Sequence, residues 1–185
     1  MNQKILIPIV VGLIVVVGGV MLFNSKSKTT TTQSSKTTTQ ETTSTSKIDL
    51  TNPNLNLCEV ISKEKVKELL GASISNTEIG PVEINKSPSC YYYLEGKKAI
   101  YLELNQREKV DDLVNGWKVL NFKVEQNSTI PIKNYVVYSE EGKIRRIYLV
   151  FGEKLSLTID AWGTNISSDK QLNFATKLAN YLSGK

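Results

Sequence analysis

The sequence contains no histidine and only two cysteines among its 185 residues. Without histidine the chain cannot build a His-based catalytic triad, and it lacks both the commonest general base near neutral pH and a common zinc ligand. It also has no glycine-rich phosphate loop and no serine in a Gly-x-Ser-x-Gly context. These absences favour a protein that is not an enzyme, with no catalytic residues, no metal site and no cofactor.

The part of the chain that looks able to fold has almost no excess of positive charge. The net charge is +5, but residues 1–48 hold five lysines and one glutamate, so they account for +4 and leave +1 for residues 49–185. A nucleic-acid interface requires basic residues clustered on one face of the fold. The sequence therefore predicts no nucleic-acid partner.

Residues 5–23 form an apolar run of nineteen residues without a charge. As a helix, this run spans about 28 Å, which matches the hydrocarbon thickness of a bilayer. The residues after the run lack the small side chains of a signal-peptide cleavage site. A lipoprotein would carry a cysteine directly after the run, whereas the first cysteine is Cys58. We therefore expect residues 1–4 to be a short flank and residues 5–23 to be an uncleaved signal anchor that contacts membrane lipid.

Residues 24–48 contain sixteen serines and threonines among twenty-five residues. Such a segment buries too little apolar surface to offset its ordering entropy, so the sequence predicts a disordered linker. Lysines flank the anchor on both sides and leave its orientation open under the positive-inside rule. The two cysteines and the linker favour a single-pass protein of the cell membrane, with residues 49–185 outside the cytoplasm.

Helix signals occur at three places in residues 49–185. Ser62 is a predicted N-cap and Gly71 a predicted C-terminal stop for residues 63–70. Apolar residues at helical spacing, among them Trp117, predict a second helix over residues 107–118 and place Trp117 in the core. Ser168 and Gln171 suggest a capping box for residues 169–182.

Alternating apolar and polar residues predict the strands. Gly96 predicts one hairpin, residues 140–142 a three-residue loop, and Gly152 with Glu153 a two-residue type II′ turn. The order of elements implies an α+β domain in which about three helices pack on an antiparallel sheet. The predicted strands are residues 90–95, 98–104, 122–125, 135–139, 143–151 and 154–162.

Two cysteines in an exported domain usually pair, so we predict a structural disulfide between Cys58 and Cys90. Such a bond would close 32 residues and stabilise the fold by about 3–4 kcal/mol. The alternative is a redox-active pair. Active pairs typically lie close together as Cys-x-x-Cys, which favours the structural interpretation.

Carboxylates offer the remaining route to catalysis. Asp111 and Asp112 point about 100° apart on their predicted helix and are expected to be solvated. Glu103 and Asp160 each project from the face opposite the apolar row of their strand. A solvated sheet face is the expected outcome, and a glycosidase-type pair in a groove is the alternative.

Aromatic residues mark a candidate ligand-binding surface. Trp162 lies out of register with the apolar row of its strand, so it either contacts a ligand or caps the sheet edge. Tyr91, Tyr93 and Tyr148 are expected to share a sheet face with Arg146, which would make that face amphipathic. Asn127 and Asn165 begin glycosylation sequons, but such triplets also occur by chance.

Residues 58–71 read CEVISKEKVKELLG and are followed by Cys90, three tyrosines and a closing amphipathic helix. This layout resembles that of the DUF3558-like bacterial surface lipoproteins and the extracellular sensor-like domains of some actinobacterial kinases. The resemblance implies an extracytoplasmic α+β domain with a bond between Cys58 and Cys90, and it implies no activity. The chain departs from that group in lacking a cysteine after the apolar run and in its Lys-, Asn- and Thr-rich composition.

The expected function is a membrane-anchored module that binds or senses a ligand or an envelope protein. Two alternatives remain open at this point. One is a carboxylate-dependent hydrolase of the cell envelope, and the other is a passive structural component of the envelope.

Overall fold

The computed structural model describes residues 48–80, 87–161 and 166–185. The predicted anchor, nearly all of the predicted linker, Trp162 and Asn165 lie outside the described residues. Within the described part of the chain, no helix is both long enough and apolar enough to cross a membrane.

The described residues form seven strands and four helices. All neighbouring strands are antiparallel, in the order β1-β2-β3-β7-β6-β5-β4, which confirms the α+β prediction with one helix more than expected. The helices are α1 (Leu57–Val60), α2 (Lys63–Leu70), α3 (Val110–Val119) and α4 (Ser168–Ser183). The strands are β1 (Ile74–Ile79), β2 (Ser89–Leu94), β3 (Lys97–Asn105), β4 (Lys123–Glu125), β5 (Asn134–Tyr138), β6 (Ile144–Gly152) and β7 (Leu155–Ala161).

The first face of the sheet carries the main core. Helices α1, α2 and α4 pack on it, and their apolar residues join those of β2, β3, β6 and β7 in one cluster. Tyr92, Leu102, Leu149 and Leu157 are fully buried there, together with Leu178 of α4. Burial of this kind is the main stabilising contribution in a domain of this size.

The second face is covered differently, by α3 alone among the described helices. Val110 and Val114 of α3 are buried against Val137 and Tyr148, and Trp117 is half-buried beside them. This confirms the predicted apolar stripe of the helix, although Trp117 is not fully in the core. Because α3 packs at the β4–β5–β6 side, the same face on β2, β3 and β7 bears polar residues around a cleft.

The disulfide between Cys58 and Cys90 is present and confirms the predicted bond. It joins α1 to β2 on the first face of the sheet, where Cys90 is fully buried. The adjacent Tyr92 hydroxyl donates to the Ile61 carbonyl at 2.5 Å, just after α1. Strand β2 is thereby held from one side by a covalent bond and a buried hydrogen bond.

The observed helix caps agree with the prediction at α2 and differ from it at α4. Ser62 accepts a hydrogen bond from the Lys65 amide at 3.2 Å, and Gly71 has φ 68°, as predicted for the cap and stop of α2. The predicted capping box at α4 is wrong. Ser167, one residue earlier, is the N-cap, and the Gln171 side chain donates to the Ile166 carbonyl instead. Two consecutive serines make the cap position ambiguous in the pattern.

One predicted turn is also wrong. Strand β6 continues through Gly152, which pairs with Leu155, so the two-residue loop is Glu153 and Lys154. Gly152 is not among the glycines with positive φ that a type II′ turn requires at its first central position. The hairpin at Glu95 and Gly96 has φ of 49° and 76°, which suits a type I′ connection.

Candidate functional site

A cleft of about 420 Å³ opens on the second face of the sheet, beside α3. Its floor consists of side chains from β2, β3, β7 and β6, and its wall of residues from the turn between β3 and α3. Volumes of ~300–1,000 Å³ are usual for small-molecule sites. The cleft is therefore large enough for a ligand of several rings or a short chain.

A row of polar side chains crosses the floor at right angles to the strands. Tyr148 of β6 is opposite Thr158 of β7, Thr158 is opposite Glu103 of β3, and Glu103 is opposite Ser89 of β2. Neighbouring strands are about 4.8 Å apart. We call these four residues the polar row, and all four line the cleft.

A second row lies one pleat further along the same face. Tyr91 of β2 is opposite Tyr101 of β3, and Tyr101 is opposite Asp160 of β7. The Tyr91 and Tyr101 rings have centroids 4.6 Å apart. Arg146 of β6 completes the row by contacting Asp160, so this row combines an aromatic pair with an ion pair.

The ion pair has both of its hydrogen bonds made inside the fold. Arg146 Nε donates to Asp160 Oδ1 at 2.7 Å, and Arg146 Nη2 donates to Asp160 Oδ2 at 2.5 Å. The Asp160 side chain is 1% exposed and that of Arg146 27% exposed. Burial acts to lower the pKa of the Arg146 guanidinium, but the hydrogen bonds and charge of Asp160 outweigh burial and raise that pKa. The expectation that Asp160 is solvated is wrong, because its long-range partner lies on the neighbouring strand.

Tyr148 connects this ion pair to α3. Its hydroxyl accepts a hydrogen bond from Trp117 Nε1 at 2.8 Å and another from Arg146 Nη1 at 3.4 Å. A phenolic oxygen that accepts two bonds still has one proton to donate. Tyr148 is 2% exposed, and none of the hydrogen bonds formed by the described residues uses that proton. Because Tyr148 lines the cleft, a partner for the proton would have to come from there.

Glu103 is the half-buried carboxylate of the floor. Burial has the largest influence and raises the pKa of its carboxyl group, the charge of Arg146 opposes that rise, and the charge of Asp160 adds to it. Glu103 and Asp160 are diagonal neighbours, since Glu103 is opposite Thr158 and Asp160 is two residues further along β7. The two carboxylates are thus close, but Arg146 occupies both oxygens of Asp160.

The wall of the cleft explains why α3 begins later than predicted. Asn105 Oδ1 accepts hydrogen bonds from the amides of Arg107 and Glu108, and Asn105 Nδ2 donates to the Glu108 carbonyl. These bonds hold residues 105–108 as a turn, so the helix begins at Val110 rather than at residue 107. The turn places Arg107 and Glu108 at the cleft.

The structure brings together three of the five residues predicted for a ligand surface. Tyr91, Tyr148 and Arg146 line the cleft, whereas Trp162 lies outside the described residues. Tyr93 shares the strand with Tyr91 but is not among the described lining residues, and its hydroxyl donates to Glu78. Asp111 and Asp112 are exposed on α3, as expected.

Sequence reasoning missed several members of the site. Tyr101 alternates with buried Leu102 and therefore shares a face with Glu103, a signal that was present in the strand pattern. Thr158 alternates with Leu157 and Ile159 and therefore carried the same signal. The Asn105 turn is local to residues 105–108 and could have been predicted as an Asx turn. The strand pattern could not show that β3 pairs with β7, which places Thr158 opposite Glu103. No group of three or more Asp, Glu or Cys side chains in the described residues is placed to hold a metal ion.

We predict that Glu103→Gln stabilises the protein at neutral pH. Because the folded-state pKa of Glu103 is raised above its ordinary value of 4.5, its favourable contribution is present below that value and is lost as pH rises through the folded-state pKa. Glutamine does not titrate, so the gain in unfolding free energy over wild type should grow between pH 4 and pH 7. Urea denaturation at the two pH values measures this difference.

Glu141→Gln provides a control of opposite sign. Lys143 lowers the pKa of exposed Glu141 through a hydrogen bond and its charge, so that variant should fall slightly below wild type as pH rises through the lowered pKa. A Glu103→Gln variant that loses stability at neutral pH would contradict the assignment of Glu103 as a destabilised carboxylate.

Comparison of the chain with protein-family models, with curated proteins and with solved structures found no match. The resemblance to bacterial surface lipoproteins and sensor-like domains stays a prediction.

Proposed function

We propose that this chain is a ligand-binding or sensing module, held at the outer side of a membrane by residues 5–23, and that the cleft on the second sheet face is its binding site. The observation that carries the proposal is the preorganised floor. Tyr148 is buried and Arg146 is half-buried. Tyr148 is held by a hydrogen bond from Trp117 and Arg146 by hydrogen bonds to Asp160, and both residues line an open cleft.

Preorganisation of this kind favours binding, because side chains that are already ordered lose little conformational entropy when a ligand arrives. Apart from Tyr148, which packs against Val110, Val114 and Val137, the charged and polar residues of the floor lie outside the apolar clusters. A sheet face that serves only to meet water has no need of a buried ion pair, and burying one carries a desolvation penalty. The arrangement therefore suits recognition of a polar ligand.

The proposed location rests on sequence and on the disulfide. Residues 5–23 have the length and composition of a membrane span. A structural disulfide is typical of proteins outside the cytoplasm, and the Cys58–Cys90 bond joins elements of the main core. The resemblance to extracytoplasmic bacterial surface domains supports the same location.

A carboxylate-dependent hydrolase is the second candidate, and one observation favours it. Glu103 has a raised pKa and shares the cleft with a second carboxylate, that of Glu108. A carboxyl group of raised pKa suits a general acid. Asp160, the predicted partner, suits that role poorly because both of its oxygens are held by Arg146.

A paired-variant screen tests the binding proposal. The full chain in lipid nanodiscs is screened against a library of polar fragments by saturation-transfer NMR, as wild type, Tyr91→Ala and Tyr93→Ala. Tyr91 lines the cleft and Tyr93, on the same strand and face, is engaged with Glu78 instead. We expect ligands that bind wild type and Tyr93→Ala and lose most of their signal with Tyr91→Ala.

Two outcomes would overturn the proposal. One is a set of ligands whose signals do not distinguish the two tyrosine variants. The other is the absence of ligands together with Glu103-dependent release of reducing sugar from a cell-wall glycan, which would establish the hydrolase instead.

A further inference from the structure

We infer that the cleft takes an uncharged saccharide, a short glycan whose rings lie across the strands. This inference rests on the proposal that the cleft is the ligand-binding site and adds the chemical class of the ligand. Three properties of the described lining carry it: the pattern of hydrogen-bonding groups, the balance of charge and the position of the aromatic rings.

The hydrogen-bonding groups alternate between donor and acceptor across the polar row. The Tyr148 hydroxyl has a proton to donate, since its oxygen already accepts bonds from Trp117 and Arg146. The carboxylate of Glu103, two strands away, only accepts when ionised. Thr158 between them and Ser89 beyond Glu103 carry hydroxyls that do both. A ligand that fits this row must offer donors and acceptors at short intervals, as sugar hydroxyls do.

Charge disfavours an anionic ligand. Arg146 and Asp160 neutralise each other in a two-bond ion pair, which leaves Arg146 poorly placed to bind a second anion. The remaining charged groups of the lining are two carboxylates, Glu103 and Glu108, and one guanidinium group, Arg107. An anionic ligand would therefore lose its hydration shell without gaining an unmatched cation.

The aromatic pair adds ring surface to the cleft, beside Lys98, whose Nζ lies 4.1 Å from the centroid of the Tyr91 ring. Tyr91 and Tyr101 lie beside the polar row at the β2–β3 end of the cleft. Tyrosine combines a large apolar ring with a polar tip, which suits a ligand whose edges are hydroxylated and whose face is not. The polar row crosses four strands, or three spacings of about 4.8 Å, so it extends over roughly 14 Å. That length accommodates more than one ring.

The test compares trisaccharides that differ in charge. Full-length protein in lipid nanodiscs is titrated by saturation-transfer NMR with cellotriose, maltotriose and N,N′,N″-triacetylchitotriose, and with the deacetylated cationic chitotriose and trigalacturonate as charged counterparts. We expect at least one neutral trisaccharide to bind with at least tenfold higher affinity than its charged counterpart.

Two substitutions locate the binding. Glu103→Gln and Tyr148→Phe each remove one hydrogen-bonding function from the polar row, and each should weaken the neutral ligand by about tenfold, the order expected for one bond to a charged or buried group. Tyr135→Phe is the matched control, because the Tyr135 hydroxyl bonds Asp111 at 2.8 Å and Tyr135 is not among the described lining residues. Its affinity should equal that of wild type. Glu103→Gln keeps the test decisive if Tyr148→Phe unfolds by leaving Trp117 Nε1 unpaired.

The outcomes separate the inference from the proposal beneath it. If only the cationic or the anionic trisaccharide binds, and Tyr91→Ala abolishes that binding, the claim that the ligand is uncharged is overturned and the cleft remains the binding site. Failure of every trisaccharide, while library fragments still bind in a Tyr91-dependent way, would overturn the ligand class only. Failure of both trisaccharides and fragments would overturn the binding function itself.

Discussion

Loss of the Cys58–Cys90 bond is expected to lower the free energy of unfolding by about 3–4 kcal/mol, because the bond closes a loop across 32 residues and removes that loop entropy from the unfolded chain. Total stabilities of domains this size are ~5–15 kcal/mol, so the loss is a large fraction of the whole. The measurement is urea denaturation of the protein with and without a thiol reductant.

The double variant Cys58→Ala with Cys90→Ala serves as the control. Added reductant should change nothing further in it, and its unfolding midpoint should lie near that of reduced wild type. A small extra loss is expected, because Cys90 is fully buried and alanine leaves a cavity in its place. If the double variant unfolds at the same urea concentration as oxidised wild type, the bond contributes no stability and the structural interpretation fails.

Loss of the disulfide should also weaken ligand binding in the cleft. Cys90 and Tyr92 are held on the first face of β2, while Ser89 and Tyr91 project from the other face into the cleft. Since successive side chains of a strand point to opposite faces, fastening the strand on one side positions the binding residues on the other. Reduced protein that remains folded is therefore expected to bind cleft ligands more weakly than oxidised protein.

Local signals were enough to predict much of the fold. The bounds of α2 agree with its cap and its left-handed glycine, because both are decided by residues within one turn of the helix. The alternation in β3 placed Leu102 in the core and Glu103 on the opposite face for the same reason. Alternate residues of a strand point to the same face, and this rule predicted a shared face for Tyr91, Tyr148 and Arg146. The structure confirms that these three residues share one face.

Strand β1 shows where local reasoning fails. Its six residues read ISNTEI and are mostly exposed, because β1 lies at the edge of the sheet and, among the described strands, pairs only with β2. A strand exposed on both faces has no apolar row, so periodicity cannot reveal it. Its polar side chains instead find partners across the sheet, as Glu78 does with Tyr93 and Lys98.

The Arg146–Asp160 ion pair could not be predicted from local patterns either, because its two residues lie on different strands. Arg146 and Asp160 lie fourteen residues apart on adjacent strands. Strand parity puts both on the second face, but it does not say which cross-strand neighbours meet or which part of that face α3 covers. Those two facts decide that Asp160 is buried while Glu103 remains at the cleft.

Replacement of Asp160 by asparagine is expected to destabilise the fold by about 3 kcal/mol, the lower end of the range for removing one partner of a buried ion pair. The lower end applies because the Arg146 side chain keeps 27% of its exposure and water can partly solvate its charge. Loss of the Asp160 carboxylate also frees Arg146 from the position in which it donates to Tyr148. Thermal and urea denaturation of the variant give the stability change.

An apolar double variant and a surface control identify the cause. Replacing the pair by apolar residues, Arg146→Met with Asp160→Leu, should recover most of the lost stability, because no buried charge is then left unpaired. Glu141→Gln breaks the Lys143–Glu141 pair, whose side chains are 77% and 72% exposed, and should leave the stability almost unchanged because exposed ion pairs contribute little. The double variant should nevertheless bind cleft ligands poorly, since it removes the Arg146 guanidinium from the cleft lining together with its 3.4 Å hydrogen bond to the Tyr148 hydroxyl. Recovery of stability without recovery of binding would show that the ion pair is retained for the cleft rather than for the fold, whereas equal destabilisation by Asp160→Asn and Glu141→Gln would refute that role.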